Sequence, residues 1–339
     1  MSVPEIRSFW KGRPVLVTGA TGFLGGWVVR RLLEKGAEVT ALVRNGSRGS
    51  MPSEEEGGAR IATVHGAVED GELLRRALGE HEIDTVVHLA GQPLVGVAKA
   101  NPAGTFQANI VGTYNVLEAA RLNRTRQVLV ASSDKAYGES GQLPCTEDTP
   151  LQGCYPYDCS KSCADLLARC YLATYGMPVS VVRCANLFGG GDLNFSRTIP
   201  GAIQAAYEGR RFAIRSDGRS VRDFLYVHDA ANAYLHLAES LAGGAPQGAY
   251  NFSLEVQWTV LDCVSEVLSL MGRSDLAPEV LNQPSPEIRQ QYMSCEKARS
   301  VLGWSPAYTM AAGMAETVAW YREYFSGGEE RPLAAAKVA

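Results

Sequence analysis

Between a β-branched run, PVLVT (14–18), and an amphipathic stretch, WVVRRLLEKG (27–36), the chain places GATGFLGG, with glycines at Gly19, Gly22 and Gly25. No other feature narrows the fold as much. A buried strand, a glycine turn and a helix whose apolar positions recur until Gly36 describe the opening of a strand–helix–strand unit. Glycine at these positions allows a tight turn, close approach of backbone to a pyrophosphate and close helix packing, with phosphate oxygens at the helix N-terminus. The spacing is GxxGxxG, and its place near the N-terminus after a strand predicts a dinucleotide site.

The units then repeat. EVTALVR (38–44) reads as a second strand, IATVHGA (61–67) as a third, GELLRRALGEH (71–81) as a helix and DTVVHLAG (84–91) as a fourth strand. FQANIVGTYNVLEAARLN (106–123) is a long helix, RQVLVASSDKAYG (126–138) a fifth strand and Val179 to Cys184 a sixth. Such a succession predicts an α/β protein with a doubly wound parallel sheet of the Rossmann type and ligand at the C-terminal strand ends. After Cys184 the pattern becomes glycine-rich and irregular, which predicts a smaller C-terminal α/β substrate lobe. The expected boundaries are 1–185 for the dinucleotide-binding domain, with 223–240 returning to it, 186–222 and 241–325 for the lobe, and 326–339 for a mobile tail.

The dinucleotide set expected from this layout is Gly19, Thr21, Gly22, Phe23, Leu24 and Gly25 at the turn, Ala67 and Val68 beside the adenine, Leu89, Ala90 and Gln92 after the fourth strand, and Asn109 on the long helix. At the end of the second strand stand Arg44, Asn45, Ser47 and Arg48, where an acidic residue would bind a ribose hydroxyl. Cations and small donors suit a 2′-phosphate instead, so NADP is favoured and NAD remains open. A second reading makes Arg44 and Arg48 the edge of a solvated loop.

YPYDCSK (155–161) carries the chemistry. If it opens a helix, Tyr157 and Lys161 share a face. A free phenol titrates near ~10, and a neighbouring cation favours its phenolate, which makes a base of it. Ser133, Asp134 and Lys135, at the end of the fifth strand, are expected beside this helix. YxxxK also arises by chance, and Asp134 with Lys135 reads equally as a surface ion pair.

Net charge is −4 without a basic run, which argues against a nucleic-acid partner, and no apolar window reaches the length of a membrane span. A soluble, cytoplasmic protein is expected. Of eight cysteines, Cys159 and Cys163 have a spacing that would suit a metal on a helix, but no CxxC or HxxxH accompanies them. Reduced thiols and no metal are expected.

VTGATGFLG, HLAGQPLV, SSDKAYG, PYDCSK, RCANLFGGGD, RDFLYVHD and LGWSP fall in the order found in extended short-chain dehydrogenase/reductases that act on nucleotide sugars. The chain resembles that family over nearly its whole length. SFWKGRPVLVTG, QPLV, SDK and FGGGDLNFSRTIP more narrowly resemble CDP-glucose 4,6-dehydratases. The resemblance implies Ser133, Tyr157 and Lys161 as the catalytic trio, Asp134 as the acid at the departing 6-hydroxyl and Lys135 as a further catalytic group. It implies Gln92, Asn186, Arg197, Arg222 and Arg289 as substrate contacts, a nucleotide-diphosphate sugar as substrate and a homodimer through helices 104–123 and 157–175. Ile110, Tyr114, Leu166 and Tyr171 on those helices are equally compatible with ordinary core. The chain departs from relatives at Ala67, where they place an aspartate, and at Arg44, where NAD-using members place an acid. RDFLYVHD is closer to epimerases. Two alternatives are carried forward: a nucleotide-sugar 4-epimerase, which needs no acid at Asp134, and a regulator that binds the dinucleotide without turnover.

Overall fold

The computed structural model describes residues 9–44, 50–52, 61–283 and 288–327. Its centre is a seven-stranded parallel sheet. In chain order the strands are β1 (Pro14–Thr18), β2 (Glu38–Val43), β3 (Ala62–His65), β4 (Thr85–His88), β5 (Gln127–Ser133), β6 (Val179–Cys184) and a last strand, Ala249–Phe252. In space the order is Ala249–Phe252, β6, β5, β4, β1, β2, β3. The chain leaves β1 toward β2 and β3 and returns with β4 on the other side, so the order reverses between β1 and β4, and a crevice opens there at the carboxyl ends.

Burial on both faces explains why these strands read as continuous apolar runs. Alternate residues feed two cores. Val15, Val17, Val87, Leu129 and Val182 join the core under the Phe23–Glu34 and Val227–Ala242 helices. Leu16, Val86, Val128, Val130 and Val181 join the other, under helices Gly71–Glu80, Gly112–Leu122 and Pro156–Tyr175.

Several boundaries differ from the sequence reading. The third strand is shorter than 61–67, because Gly66 turns the chain toward Asp70, whose side chain caps the next helix at Leu73 N. The long helix begins at Pro102, where Asn101 caps Gly104 N, and passes through a π-turn at Gln107–Val111 before Gly112. That turn carries buried Asn109. Ala249–Phe252 pairs with β6 as a strand of the main sheet, so this part of 241–325 does not belong to the lobe. All four of its residues are buried, which fits a strand of the main sheet better than a lobe surface. Helix Val227–Ala242 lies against the sheet domain: Lys35 pairs with Glu239 at 3.0 Å, and Gln127 donates to Ala238 O at 2.9 Å.

The remaining short strands lie beyond the sheet's carboxyl edge. Asn186–Phe188 pairs with Phe224–Tyr226, and Val221–Arg222 lies between Trp258–Thr259 and Gln290–Gln291. The buried Asp223 carboxylate ties this layer together by accepting from Phe224 N, Val256 N and Met293 N, and burial pushes its pKa up to about 7. Met310–Ser326 is a helix, so the expected tail begins one residue too early; residues 328–339 lie outside the described residues.

Candidate active site

At the switch point, Thr18 ends β1 and holds the loop after β4. Its carbonyl accepts from Leu89 N and its hydroxyl from Ala90 N, at 3.1 and 3.2 Å. Gly19 has φ of +73°, and a Cβ there would lie 2.7 Å from Ala90 N. At Gly25 a Cβ would lie 2.0 Å from Gly19 O. Both clashes are with the chain's own backbone, so glycine here lets the turn pack against the loop after β4 and against the start of the helix. The helix that follows starts at Phe23 with no side chain capping it, so its first amides face the crevice mouth unclaimed by a cap. Among the described residues the backbone therefore fits a dinucleotide pyrophosphate. Thr21 faces its rim and gives its carbonyl to Ser50 N.

Farther along, Ala67 O receives Asp70 N, and buried Val68 offers its carbonyl to the Asn115 amide. Arg44 is exposed at the end of β2, while Asn45, Ser47 and Arg48 lie outside the described residues.

Asn109 does something other than face a ligand. Its Oδ1 accepts from Gln92 N at 2.6 Å, and its Nδ2 donates to Gln92 O and to Ser160 Oγ at 3.2 and 2.8 Å. All of its amide is spent clamping the loop after β4 to the Pro156–Tyr175 helix. Asn109 thereby sets the position of that loop relative to the helix. Gln92 turns its own Oε1 back to Leu94 N.

Pro156 opens the helix, and Tyr157 and Lys161 lie on its buried side. Lys161 Nζ donates to Ala131 O at 2.9 Å, and no hydrogen bond joins it to Tyr157 among the described residues. Burial pushes the Lys161 ammonium down to about 8. It pushes the Tyr157 phenol up to about 12, against the lowering effect of its hydrogen bond with Ser133. Desolvation thus outweighs the neighbouring cation in this chain by itself. His88, between Thr18 and Thr113, is pushed down to about 3 by burial and adds no second cation.

Beyond Ser133 the chain makes a single 3₁₀ turn, Asp134–Tyr137. Ser133 Oγ donates to Asp134 Oδ1 at 2.9 Å. Asp134 is 1% exposed, and its Oδ2 has no hydrogen bond, with Lys135 Nζ 3.6 Å away. The surface-pair reading of Asp134 and Lys135 is thereby excluded. Lys135 donates to Gln291 Oε1. Its pKa lies below the ordinary lysine value because of burial first, with the Arg222 charge adding to it and Asp134 and Asp158 opposing.

Two neighbours were not anticipated. Asp158, one residue after Tyr157, is buried, and its carboxyl is pushed up to about 6 by desolvation against the pull of Lys135. An acid inside YPYDCSK was visible as a signal. Gln291 was not, because it comes from a strand of the far lobe. It donates through Nε2 to Asp134 O at 2.6 Å.

The expected substrate contacts Asn186, Arg197, Arg222 and Arg289 come from the segments that follow β6. Asn186 donates through Nδ2 to Asp223 O at 2.9 Å. Arg197 pairs with Asp192 at 3.0 Å, and its charge reaches Tyr157. Arg222 donates to Val221 O, and its charge reaches Lys135. Arg289 is exposed and meets the others only through its backbone, whose carbonyl accepts from Val221 N. No group of three or more potential metal ligands occurs among the described residues.

Residues 15–253 match the NAD dependent epimerase/dehydratase family. The chain belongs to that family. It is 34% identical over 330 residues to a dTDP-glucose 4,6-dehydratase of Xanthomonas campestris pv. campestris, covering 90% of this chain and 92% of the relative. A CDP-glucose 4,6-dehydratase of Salmonella typhimurium is 29% identical over 345 residues, covering 95% and 94%. Among solved structures, DesIV, a dTDP-glucose 4,6-dehydratase of Streptomyces venezuelae with NAD bound, superposes with a TM-score of 0.83 at 27% identity, covering 92% of this chain and 98% of that one. UDP-glucose 4-epimerases stand among the relatives as well. The chain is thus an enzyme of the extended short-chain dehydrogenase/reductase type, homologous to nucleotide-sugar 4,6-dehydratases. No helix among the described residues is long and apolar enough to cross a membrane.

Proposed function

We propose that this protein is a nucleotide-sugar 4,6-dehydratase, which converts a nucleoside-diphosphate hexose into its 4-keto-6-deoxy form and water. One observation carries the reading: a buried carboxyl with an open oxygen, Asp134, stands beside a buried amine, Lys135, one residue from the Ser133 hydroxyl that bonds Tyr157. Oxidation at C4 needs only Ser133, Tyr157 and Lys161. Loss of water needs an additional acid and an additional base, and the turn after β5 supplies both.

When bound, the nicotinamide supplies an acceptor for the C4 hydride and returns that hydride to C6. Tyr157 takes the 4-hydroxyl proton while Ser133 fixes the phenol's direction. Because the phenol stands near 12, it becomes a base only as positive charge is brought to it on cofactor binding, with buried Lys161 as the chain's own contribution. The 4-ketone acidifies C5. The C5–H bond then breaks, its proton goes to the Lys135 amine, and its electron pair forms the C5–C6 double bond. The C6–O bond breaks, its oxygen takes a proton from Asp134 and leaves as water. Lys135 later returns its proton to C5.

The glycine turn at Gly19 to Gly25, leading into a helix with no side-chain cap, supports a dinucleotide, and Arg44, in place of an acid, supports NADP over the NAD seen in DesIV. Mass spectrometry of nucleotides released from the purified protein decides this. Eight free thiols support a reducing, cytoplasmic setting. Tyr114 and Leu166, 46% and 51% exposed on neighbouring helices, support a homodimer through that face, whereas Tyr171 turns inward to Glu118. Sedimentation at micromolar concentration showing only monomer overturns the dimer.

The test of function is incubation with dTDP-glucose and CDP-glucose, followed by alkali. A strongly absorbing 4-keto-6-deoxy product is expected. The rival, a 4-epimerase, shares Ser133, Tyr157 and Lys161 and leaves no such absorbance.

A further inference from the structure

The lobe strand Gln290–Gln291 is held in register with Val221–Arg222 by Val221 N to Arg289 O and Asp223 N to Gln291 O, at 2.8 and 3.1 Å. Asp223 in turn binds Met293 N, two residues on. Gln291, 1% exposed, is thereby fixed over the turn that carries Asp134 and Lys135. Its amide has one orientation there. The Asp134 carbonyl can only accept, so the Nε2 end must face it, and the Oε1 end must face Lys135. We propose that Gln291 is a positioning residue for the dehydration step: by taking one N–H of Lys135, it aims the amine's lone pair at the C5 proton without adding a charge beside it.

An amide oxygen accepts a hydrogen bond from a lysine whether or not that lysine is charged, and adds no charge of its own. A carboxylate at the same place would hold the ammonium. A lysine meant to remove a proton must be neutral when it acts, so the neutral partner matters. The groups facing Lys135 come from every side: Asp134 on its own turn, Asp158 on the Pro156–Tyr175 helix, Arg222 on the neighbouring lobe strand and Gln291 beside it. Two acids favour the ammonium, while burial and one guanidinium disfavour it. Gln291 leaves that balance undisturbed and supplies the direction.

The inference rests on the dehydratase reading. The experiment compares wild type, Gln291→Met and Gln291→Glu with the hexose nucleotide that wild type dehydrates, across pH. Gln291→Met keeps the length and loses the acceptor. It is expected to lower kcat for dehydration by about tenfold or more with KM little changed, and to leave the transient reduction of the nicotinamide at wild-type rate, because C4 oxidation does not use Lys135. Gln291→Glu is expected to move the rising limb of the dehydration profile to higher pH and to recover rate in alkali. Independently of turnover, the Lys135 amine, followed by NMR in protein carrying ¹³C-labelled lysine and assigned by its absence in Lys135→Met, titrates at higher pH in Gln291→Glu than in wild type. Wild type that dehydrates, with Gln291→Met matching it at every pH and an unmoved Lys135 titration in Gln291→Glu, overturns the role of Gln291 alone. Wild type that never releases water from any nucleoside-diphosphate hexose overturns the functional reading and this role with it.

Discussion

The pairs Arg183–Asp165 and Lys135–Asp134 are built in opposite ways. Behind the sheet edge, Arg183 and Asp165 are both fully buried, joined by Nε to Oδ2 at 2.7 Å and Nη2 to Oδ1 at 2.9 Å. The remaining Arg183 nitrogen donates to Tyr137 OH and Glu147 O, and the Tyr137 hydroxyl donates to Asn251 Oδ1. Every polar group has a partner. Asp134 and Lys135, only three and two residues before Tyr137, stand 3.6 Å apart, with one carboxylate oxygen unbonded and the amine turned to Gln291. A closed pair fixes structure. An open one keeps an acid and an amine available, and the cost of their incomplete pairing is what a reaction can use.

This contrast can be broken in several ways. The largest effect is expected at the open pair: Lys135→Met should lower dehydration by about 10²–10⁴-fold while nicotinamide reduction by the sugar persists, read by product absorbance in alkali and by absorbance of the reduced ring. A variant that still dehydrates at the parental rate removes Lys135 from the mechanism. At the closed pair, Asp165→Ala strands a buried guanidinium and should cost about 3–5 kcal/mol in urea unfolding, an effect absent from Lys135→Met. Equal destabilisation by both would erase the distinction.

A third effect runs the other way. Burial lowers the Lys161 pKa to about 8 from its ordinary 10.5. Below pH 8 both folded and unfolded chains carry the proton, and the buried charge counts in full against the fold. Between about pH 8 and 10.5 the unfolded chain holds more protons, so native stability rises with pH. Lys161→Met should therefore stabilise dinucleotide-free protein by roughly 1–3 kcal/mol at pH 7 and by clearly less at pH 10, in thermal melts at the two values. A gain independent of pH would assign the effect to packing. The smallest effect is expected at Asn109→Ala, about 1–2 kcal/mol of stability together with weaker dinucleotide retention, since the clamp between Gln92 and Ser160 is lost.

What could be read from the sequence was local. The glycine turn, the strand periodicity and the placing of Tyr157 and Lys161 on one helix depend on residues a few positions apart, and the backbone realises them nearly as written. What could not be read depends on topology. Gln291 meets Lys135 across 156 positions of chain, and nothing in QQY distinguishes a glutamine on a lobe strand from one in solvent. The strand Ala249–Phe252 is too short to declare which sheet it joins until β6 is present as a neighbour. Asn109 carried its polarity in plain view, but its partners, a loop backbone and Ser160, are set by a π-turn with no signature of its own. The charge state of Tyr157 was also out of reach, because spacing reports a neighbouring lysine and not the desolvation that outweighs it.

The account stands on the turn after β5 converting a C4 oxidation into water loss. Its most direct test is the mass of the sugar nucleotide recovered after wild-type protein has consumed dTDP-glucose or CDP-glucose. A product lighter by one water is expected; a product of unchanged mass with inverted C4 would mean that Asp134 and Lys135 take no part in an elimination.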